Sequence, residues 1–293
     1  METTKRQSRR TRTRSKDNVQ LSTRDLKIFQ ALHRHRYLRS TFLEAFAGGE
    51  HTNFLYRLRC LFDAGYIGRP SQQWLYANAY YQPTVYELDR KGEDELKSRA
   101  LFTHQLRRSV ADPGHLFHHD LMVSDCIASI EIACMQMGLR FIDAEEILSR
   151  STLDRIGFSI GSRRLVPDGL FGIESQEGVI LYAVEADRKT EQLTERESGG
   201  SSYDKKLKEY AALIKTGAYK EQLNTKAGLL VLHITVAEPR MKRMMTLSGA
   251  SRFNLFRTVP FDAFDRGRPV PALLTNPWLR EGHAPFNISG KSS

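Results

Sequence analysis

The sequence contains little cysteine and no apolar stretch long enough to cross a membrane. Its longest uncharged apolar run, residues 228–237, falls far short of the ~20 residues that a spanning helix needs. Cys60, Cys126 and Cys134 are widely separated and make no CxxC pair, which indicates reduced, buried thiols rather than a disulfide or zinc framework. The basic N-terminus is followed by no apolar segment of the kind that a secretory signal contains. We therefore expect a cytoplasmic protein with no membrane partner.

Positive charge is in excess and is concentrated near the N-terminus. The chain has 44 Lys and Arg against 34 Asp and Glu, a net charge of +10, and residues 1–16 contain seven basic residues but only one acidic residue. A segment of this composition cannot fold alone, but it can neutralise phosphates and release counterions. We expect residues 1–20 to form a disordered basic arm that contacts nucleic acid, with a merely solubilising arm as the alternative. The arginines expected to make the contacts are Arg9, Arg10, Arg12 and Arg14.

Residues 21–100 are predicted to form a small domain in the order helix, helix, helix, hairpin, helix. Ser22 can cap the first helix, and Gly48-Gly49 ends the second. The third helix runs from about Thr52 to Ala64, and we expect its inward face to consist of Leu55, Leu58, Leu61 and Phe62. Two extended runs, Gln73–Tyr76 and Thr84–Leu88, are expected to form the hairpin.

That order, together with the stretch Leu58–Ile67, resembles a winged helix-turn-helix. The resemblance implies that the third helix enters a DNA major groove, where Arg can pair with guanine and Asn with adenine. Wing aromatics such as Trp74, Tyr80 and Tyr81 could contact sugars, but packing over the sheet is the favoured interpretation. A protein-interaction module is the alternative for the whole domain. The side chains expected to contact DNA are His51, Asn53, Arg57, Arg59, Arg69 and Gln73. Of these, Asn53, Arg57 and Arg59 are expected on the exposed side of the third helix.

A second domain is predicted over residues 115–263, after a linker at 101–114. An apolar helix covers about Phe117 to Met137, and a lysine-rich helix covers about Ser202–Thr216. The predicted strands are Arg140–Ile142, Leu165–Ile173, Val179–Asp187 and Leu229–Thr235. This alternation predicts an α+β or α/β fold with a mixed sheet. Residues 264–293, rich in proline, are expected to form an extended C-terminal arm that Trp278 anchors.

Two acidic motifs in the second domain resemble the PD-(D/E)xK nuclease core of restriction endonucleases. The motifs are Val166-Pro167-Asp168-Gly169 and Val184-Glu185-Ala186-Asp187. Since a strand has a period of two, Glu185 and Asp187 share a face that Asp168 on the paired strand can meet. The resemblance implies that Asp168, Glu185 and Asp187 hold Mg²⁺ or Mn²⁺, with Glu131 as an acid from the opening helix.

The nuclease pattern is broken where it requires a lysine. Asp187 stands two residues after Glu185, in the place of the lysine that orients the attacking water. Lys189 is a candidate for a migrated lysine, as are Lys205, Lys206 and Lys208 on the following helix. If the site is active, its catalytic residues are therefore Asp168, Glu185, Asp187, Lys189 and Lys206. We expect weak or absent cleavage, because a second carboxylate repels the scissile phosphate.

His115 and His119 lie four residues apart near the start of the long helix, which is the spacing of a zinc-binding pair. The sequence offers no third ligand for such a site. We therefore interpret these histidines as helix-entry packing or capping residues.

Taken together, the two domains resemble the plasmid replication-relaxation family. The resemblance rests on Leu58–Ile67, His119-Asp120-Leu121, Pro167-Asp168, Glu185-Ala186-Asp187-Arg188 and Tyr203–Tyr210. It implies a protein that binds double-stranded DNA in the replication, transfer or transcriptional control of a plasmid or other mobile element. It also implies an inactive nuclease-like domain and no cofactor beyond Mg²⁺ or Mn²⁺. Plasmid replication or transfer proteins are further expected partners, and a homodimer is left open. The alternatives are a Mg²⁺-dependent DNA endonuclease with a migrated lysine and a protein-interaction adaptor.

Overall fold

The computed structural model describes residues 8–13, 19–75, 79–101, 117–188, 203–259 and 267–290. The chain divides into two compact units, Met1–Phe102 and Thr103–Ser293. Within the described ranges, no helix has the length and apolar character needed to cross a membrane. The predictions for Arg14, His115 and Lys189, and for nearly all of the linker at 101–114, concern residues outside these ranges.

The described part of the first unit has helices around a small antiparallel sheet of strand order β1–β3–β2. Its elements are α1 (Thr23–His35), β1 (Leu38–Arg39), α2 (Ser40–Ala47), α3 (His51–Asp63), β2 (Ile67–Gly68), β3 (Val85–Leu88) and α4 (Arg90–Ser98). The order of the four helices agrees with the predicted order, and their assignment as a helix-turn-helix domain stays a prediction. The assignment of the segment between β2 and β3 as a DNA-binding wing stays a prediction.

Local sequence signals explain how α1 begins and how α2 and α3 are joined. Ser22 and Asp25 form a reciprocal capping box at the start of α1. Gly48 and Gly49 connect α2 to α3 with φ angles of 69° and 118°, which favour glycine. A Cβ atom on Gly49 would lie only 2.4 Å from an Arg24 guanidinium nitrogen. That nitrogen is the far end of a flexible side chain and can move aside, so it is the backbone conformation of the turn that requires glycine.

Three of the four residues predicted for the inward face of α3, Leu58, Leu61 and Phe62, are buried, but Phe54 takes the place of Leu55. Phe54, Leu58 and Leu61 are fully buried, whereas Leu55 is 38% exposed. Residues spaced by four and three positions share one face of a helix, so Phe54 belongs with Leu58 and Leu61. The prediction of an inward Leu55 was wrong.

The first strand of the predicted hairpin is also absent from the structure. Residues Ser71–Leu75 and Ala79–Tyr81 form 3₁₀ helices instead. The Gln73 side chain accepts a hydrogen bond from the Val85 N–H at 2.9 Å and donates one to the Val85 carbonyl at 3.0 Å. The Gln73 side chain thus makes the hydrogen bonds to the β3 backbone that the predicted strand was expected to make.

In the second unit, the described residues form a mixed seven-stranded sheet of order β12–β11–β10–β9–β8–β7–β4. The interior strand β8 pairs with β7 in antiparallel and with β9 in parallel orientation. The strands are β4 (Arg140–Ile142), β5 (Phe158–Ile160), β6 (Arg163–Leu165), β7 (Gly169–Ser175), β8 (Gly178–Asp187), β9 (Gly228–Thr235), β10 (Asn254–Thr258), β11 (Trp278–Arg280) and β12 (His283–Phe286). The helices are α5 (Phe117–Met137), α6 (Ala144–Ser149), α7 (Tyr203–Thr216), α8 (Ala218–Gln222), α9 (Glu238–Ser248) and α10 (Ala272–Thr275).

The two faces of β8 pack into two different apolar clusters. Tyr182, Val184 and Ala186 belong to the apolar cluster that α5 covers. Leu181 and Ala183 belong to the cluster beneath α7. By the same alternation, Glu185 and Asp187 share one face of β8, as predicted, and this is the face that α7 covers.

The strand predicted over Leu165–Ile173 is interrupted. Strand β6 ends at Leu165 and β7 begins at Gly169. Pro167 lies between them, and proline has no N–H group to donate to a ladder. The break leaves Asp168 in a short connection directly before β7.

The described residues of the C-terminal segment do not form an extended arm. Residues 272–286 contain α10 and the hairpin β11–β12, and β11 pairs with β10 to extend the sheet. The buried Trp278 donates a hydrogen bond from Nε1 to the Leu273 carbonyl at 2.8 Å. Trp278 is an anchor, as expected, but it anchors sheet strands rather than a loose arm.

Candidate functional site

The first residues of α3 present polar side chains to solvent. His51 and Asn53 are exposed, and the Glu50 carboxylate caps the helix by accepting from the Thr52 and Asn53 N–H groups at 2.9 and 2.8 Å. These bonds hold the pKa of Glu50 below its usual value. Asn53 is therefore exposed in the first turn of α3.

Arg57 does not have the exposed position that the sequence predicted. Its guanidinium forms a two-point ion pair with Asp25, with N–O distances of 2.9 and 2.7 Å, and also donates to the Gln20 carbonyl at 2.6 Å. Burial opposes ionisation of Asp25, but the hydrogen bonds from Arg57 and Ser22 outweigh it, and the pKa of Asp25 is lowered. Arg57 joins α3 to α1.

Arg59 is likewise engaged within the unit. Its Nε lies 2.6 Å from the Asp63 carboxylate, and its remaining nitrogens donate to the Ser8 carbonyl, the Thr11 carbonyl and the Thr13 hydroxyl at 2.5, 3.1 and 2.9 Å. The expected exposure of Arg59 was therefore wrong. This side chain connects α3 to the N-terminal segment.

Residues 8–13 are held against the unit, which differs from the disordered arm that we expected. Arg12 donates to the Phe62 carbonyl at 2.8 Å and to the Ile67 carbonyl at 3.1 Å, and pairs with Asp89. Arg9 donates to the Tyr80 carbonyl at 2.7 Å and accepts at its own carbonyl from Arg69 at 2.8 Å. We call the resulting set the arginine surface, and its members are Arg9, Arg10, Arg12, Arg59 and Arg69.

Asp168 lies beside a histidine in the second unit. Its Oδ2 accepts from the Ala186 N–H at 2.8 Å and lies 3.2 Å from His119 Nε2. The neighbouring carboxylates of Asp120 and Asp168 raise the pKa of His119 to about 10. His119 is therefore a cation at neutral pH and neutralises Asp168.

Glu185 is buried and contacts two side chains of α7. Its carboxylate lies 3.1 Å from Lys206 Nζ and accepts a hydrogen bond from the Tyr210 hydroxyl at 2.6 Å. Burial and the nearby charge of Asp168 raise the pKa of Glu185 to about 7, against the opposing effect of Lys206 and Tyr210. Lys206, one of the predicted migrated lysines, thus lies beside a predicted catalytic acid.

Asp187 is paired with a different cation, Arg240 of α9. Across the described ranges, no group of three or more His, Cys, Asp or Glu side chains is close enough to hold a metal ion. The three predicted ligands are neutralised separately, by His119, Lys206 and Arg240. The residues present therefore do not fit the Mg²⁺ or Mn²⁺ site that the nuclease resemblance implied.

A family model described as replication-relaxation matches residues 29–228, which is more than two thirds of the chain. This chain belongs to the replication-relaxation family. No curated protein and no solved structure matches it significantly. The family links this replication-relaxation protein to the replication or transfer of plasmids and other mobile elements. The matched region includes Asp168, Glu185 and Lys206 but not residues 8–13 or Arg240.

The sequence did not reveal several of the side chains that pair with Asp168, Glu185 and Asp187. His119 was assigned to packing, and Tyr210 and Arg240 were not singled out, because their partners are distant in the chain. Glu131, expected to supply an acid from α5 to the site, lies away from it. At about 1.5 Å per residue, Glu131 lies about 18 Å along α5 from His119.

Proposed function

We propose that this replication-relaxation protein binds double-stranded DNA through its first unit, in the replication or transfer of a plasmid or other mobile element. The observation that carries the proposal is the arginine surface, where five guanidinium groups are accompanied by the carboxylates of Asp63 and Asp89. Guanidinium groups suit phosphate by charge and by their forked geometry. We place this activity in the cytoplasm, with a homodimer or a plasmid replication or transfer protein as further candidate partners.

In this proposal Arg9, Arg10 and Arg12 of the arginine surface contact phosphates and Asn53 reads base edges. Arg59 and Arg69 hold residues 8–13 in place. The side chain of Asn53 is exposed at the start of α3, and Asn can bond adenine at two points. Arg57 supports α3 through Asp25, and Arg59 fixes residues 8–13 beside the helix. The second unit serves as a scaffold or an auxiliary DNA-binding surface.

A Mg²⁺-dependent endonuclease is the second candidate function. The 3.1 Å contact between Lys206 and Glu185 favours it, since it places a lysine beside the acid. The pairing of Asp187 with Arg240 argues against it, because a metal-binding carboxylate would have to leave a partly buried cation. We therefore give preference to DNA binding without cleavage.

The salt dependence of DNA binding tests the proposal. We expect deletion of residues 2–16 to weaken binding of random-sequence duplex and to reduce the slope of log Kobs against log salt by about 0.9 for each phosphate that is no longer neutralised. Arg10→Ala should reduce the slope by the amount that corresponds to a single phosphate. Lys97→Ala is the matched control, because it removes a surface cation paired within α4. Fluorescence anisotropy over a salt series measures both the affinity and the slope.

Two results would count against the proposal. An unchanged slope after the deletion would make residues 8–13 spectators in binding. Failure of the full chain to bind any duplex at low salt would overturn the proposed function itself.

A further inference from the structure

Large apolar side chains project into solvent from the segment between β2 and β3. Leu75, Tyr80 and Tyr81 are 78%, 49% and 89% exposed. The two 3₁₀ helices that carry them are in contact, and the rings of Trp74 and Tyr80 lie 5.8 Å apart. The exposure of Tyr81 contradicts the expectation that these aromatics cover the sheet. Clustered apolar exposure of this kind marks a contact surface. We call it the stacking face, comprising Trp74, Leu75, Tyr80 and Tyr81.

Cations of the arginine surface lie directly beside this face. The guanidinium carbons of Arg9 and Arg10 are each 5.8 Å from the Trp74 ring centre, and that of Arg10 is 5.2 Å from the Tyr80 ring centre. Arg9 is fixed in place by its bond to the Tyr80 carbonyl. Aromatic rings with adjoining cations are the combination with which proteins hold unpaired nucleic-acid bases, through stacking and phosphate contacts.

Intact duplex DNA does not explain the exposed ring of Tyr81. In a duplex the faces of the bases are stacked on one another, and the grooves offer base edges, sugars and phosphates. The faces become accessible where bases are unpaired, at a fork, a bubble or a frayed end. A partner that offers a base face to the apolar side chains and a phosphate to the cations matches both parts of the surface.

We propose that the stacking face binds unpaired bases of DNA beside a duplex, with Tyr81 and Leu75 against a base and Arg9 and Arg10 against the adjoining phosphates. The inference rests on the proposed function and narrows its substrate from duplex DNA to DNA that contains a junction between paired and unpaired strands. The first unit would then bind the duplex and the melted bases of one molecule together.

The test compares the full chain on a plain duplex and on the same duplex with a short mismatched bubble that contains 2-aminopurine. We expect the bubble to bind more tightly by about five- to 150-fold, the equivalent of about 1–3 kcal/mol of stacking. Tyr81→Ala should remove most of that preference, and Tyr81→Phe should retain it because the ring remains. Met135→Ala, at an exposed apolar residue of the second unit, is the matched control and should change nothing. Binding should quench 2-aminopurine with the original chain but not with Tyr81→Ala.

The outcomes separate this inference from the proposed function. Equal affinity for both DNAs without quenching overturns the inference and leaves duplex binding in place. A bubble preference that survives both Tyr81→Ala and Leu75→Ala overturns the assignment to the stacking face. Weakening of both DNAs by the same factor in Tyr81→Ala indicates a groove contact and also overturns it. Failure to bind either DNA overturns the proposed function.

Discussion

Glu185 and His233 are paired neighbours on adjacent strands, and their buried environments shift their pKa values in opposite directions. The pKa of Glu185 is raised to about 7, whereas burial lowers the pKa of His233 to about 4. Between about pH 4.5 and 6.5, the folded chain keeps the Glu185 proton that the unfolded chain releases, so this group lowers stability as pH rises. His233 has the opposite effect, because only the unfolded chain binds its proton there.

The variant Glu185→Gln should remove the contribution of Glu185 to the pH dependence of stability and leave that of His233. Its free energy of unfolding, relative to the original chain, should therefore increase as pH rises from about 5 to 6.5, by about 1.4 kcal/mol per pH unit. Urea denaturation at several pH values measures the difference. Glu177→Gln, at an exposed turn, is the control. A difference that does not vary with pH would show that Glu185 ionises normally.

At the scale of elements, apolar periodicity predicted the long helices and strands. It missed short strands and the segments whose structure depends on a single side chain. The helix Phe117–Met137 was predicted over the range observed, because apolar residues recur along its whole length. The hairpin β11–β12 was missed because its strands are short and lie among prolines. The strand predicted from Gln73 onward is missing, and the Gln73 amide makes the hydrogen bond to β3 that this strand was expected to make.

The candidate site was predictable only in part, for a related reason. The period of a strand placed Glu185 and Asp187 on one face, but no local pattern shows which cation each of them meets. Arg240, on α9, is 53 positions from Asp187 in the sequence. His119, which contacts Asp168, lies on α5. Such pairs depend on how the helices pack on the sheet.

The bridge between α1 and α3 gives the element-scale prediction. Arg57→Ala leaves the Asp25 carboxylate buried without its cation, which should lower the free energy of unfolding by about 3–5 kcal/mol. Urea or thermal denaturation of the full chain measures this change. Arg99→Ala breaks an exposed pair with Glu95 and should cost at most about 1 kcal/mol. Equal, small effects of the two variants would show that Arg57 is available for base contacts after all.

At the scale of the whole molecule, the two units differ in how their charges are balanced. In the first unit two of the five arginines of the arginine surface pair with carboxylates, Arg12 with Asp89 and Arg59 with Asp63, and the other three leave positive charge for a polyanion. In the second unit each carboxylate of the nuclease-like motif has its own cation, namely His119, Lys206 or Arg240. The first arrangement favours phosphate binding, and the second removes the charge that would attract a divalent metal ion.

We therefore predict that the purified protein does not cleave DNA. Supercoiled, linear and branched DNA incubated with it in Mg²⁺ or Mn²⁺ should remain intact, because metal binding would require Asp187 to leave Arg240 and Glu185 to leave Lys206 and Tyr210. Asp168→Ala and Glu185→Ala are assayed in parallel. Nicking that disappears in both variants would contradict the prediction, and Lys206→Ala would then test the migrated lysine. Nicking that persists in both would come from a contaminating nuclease, since neither acid would be required for it.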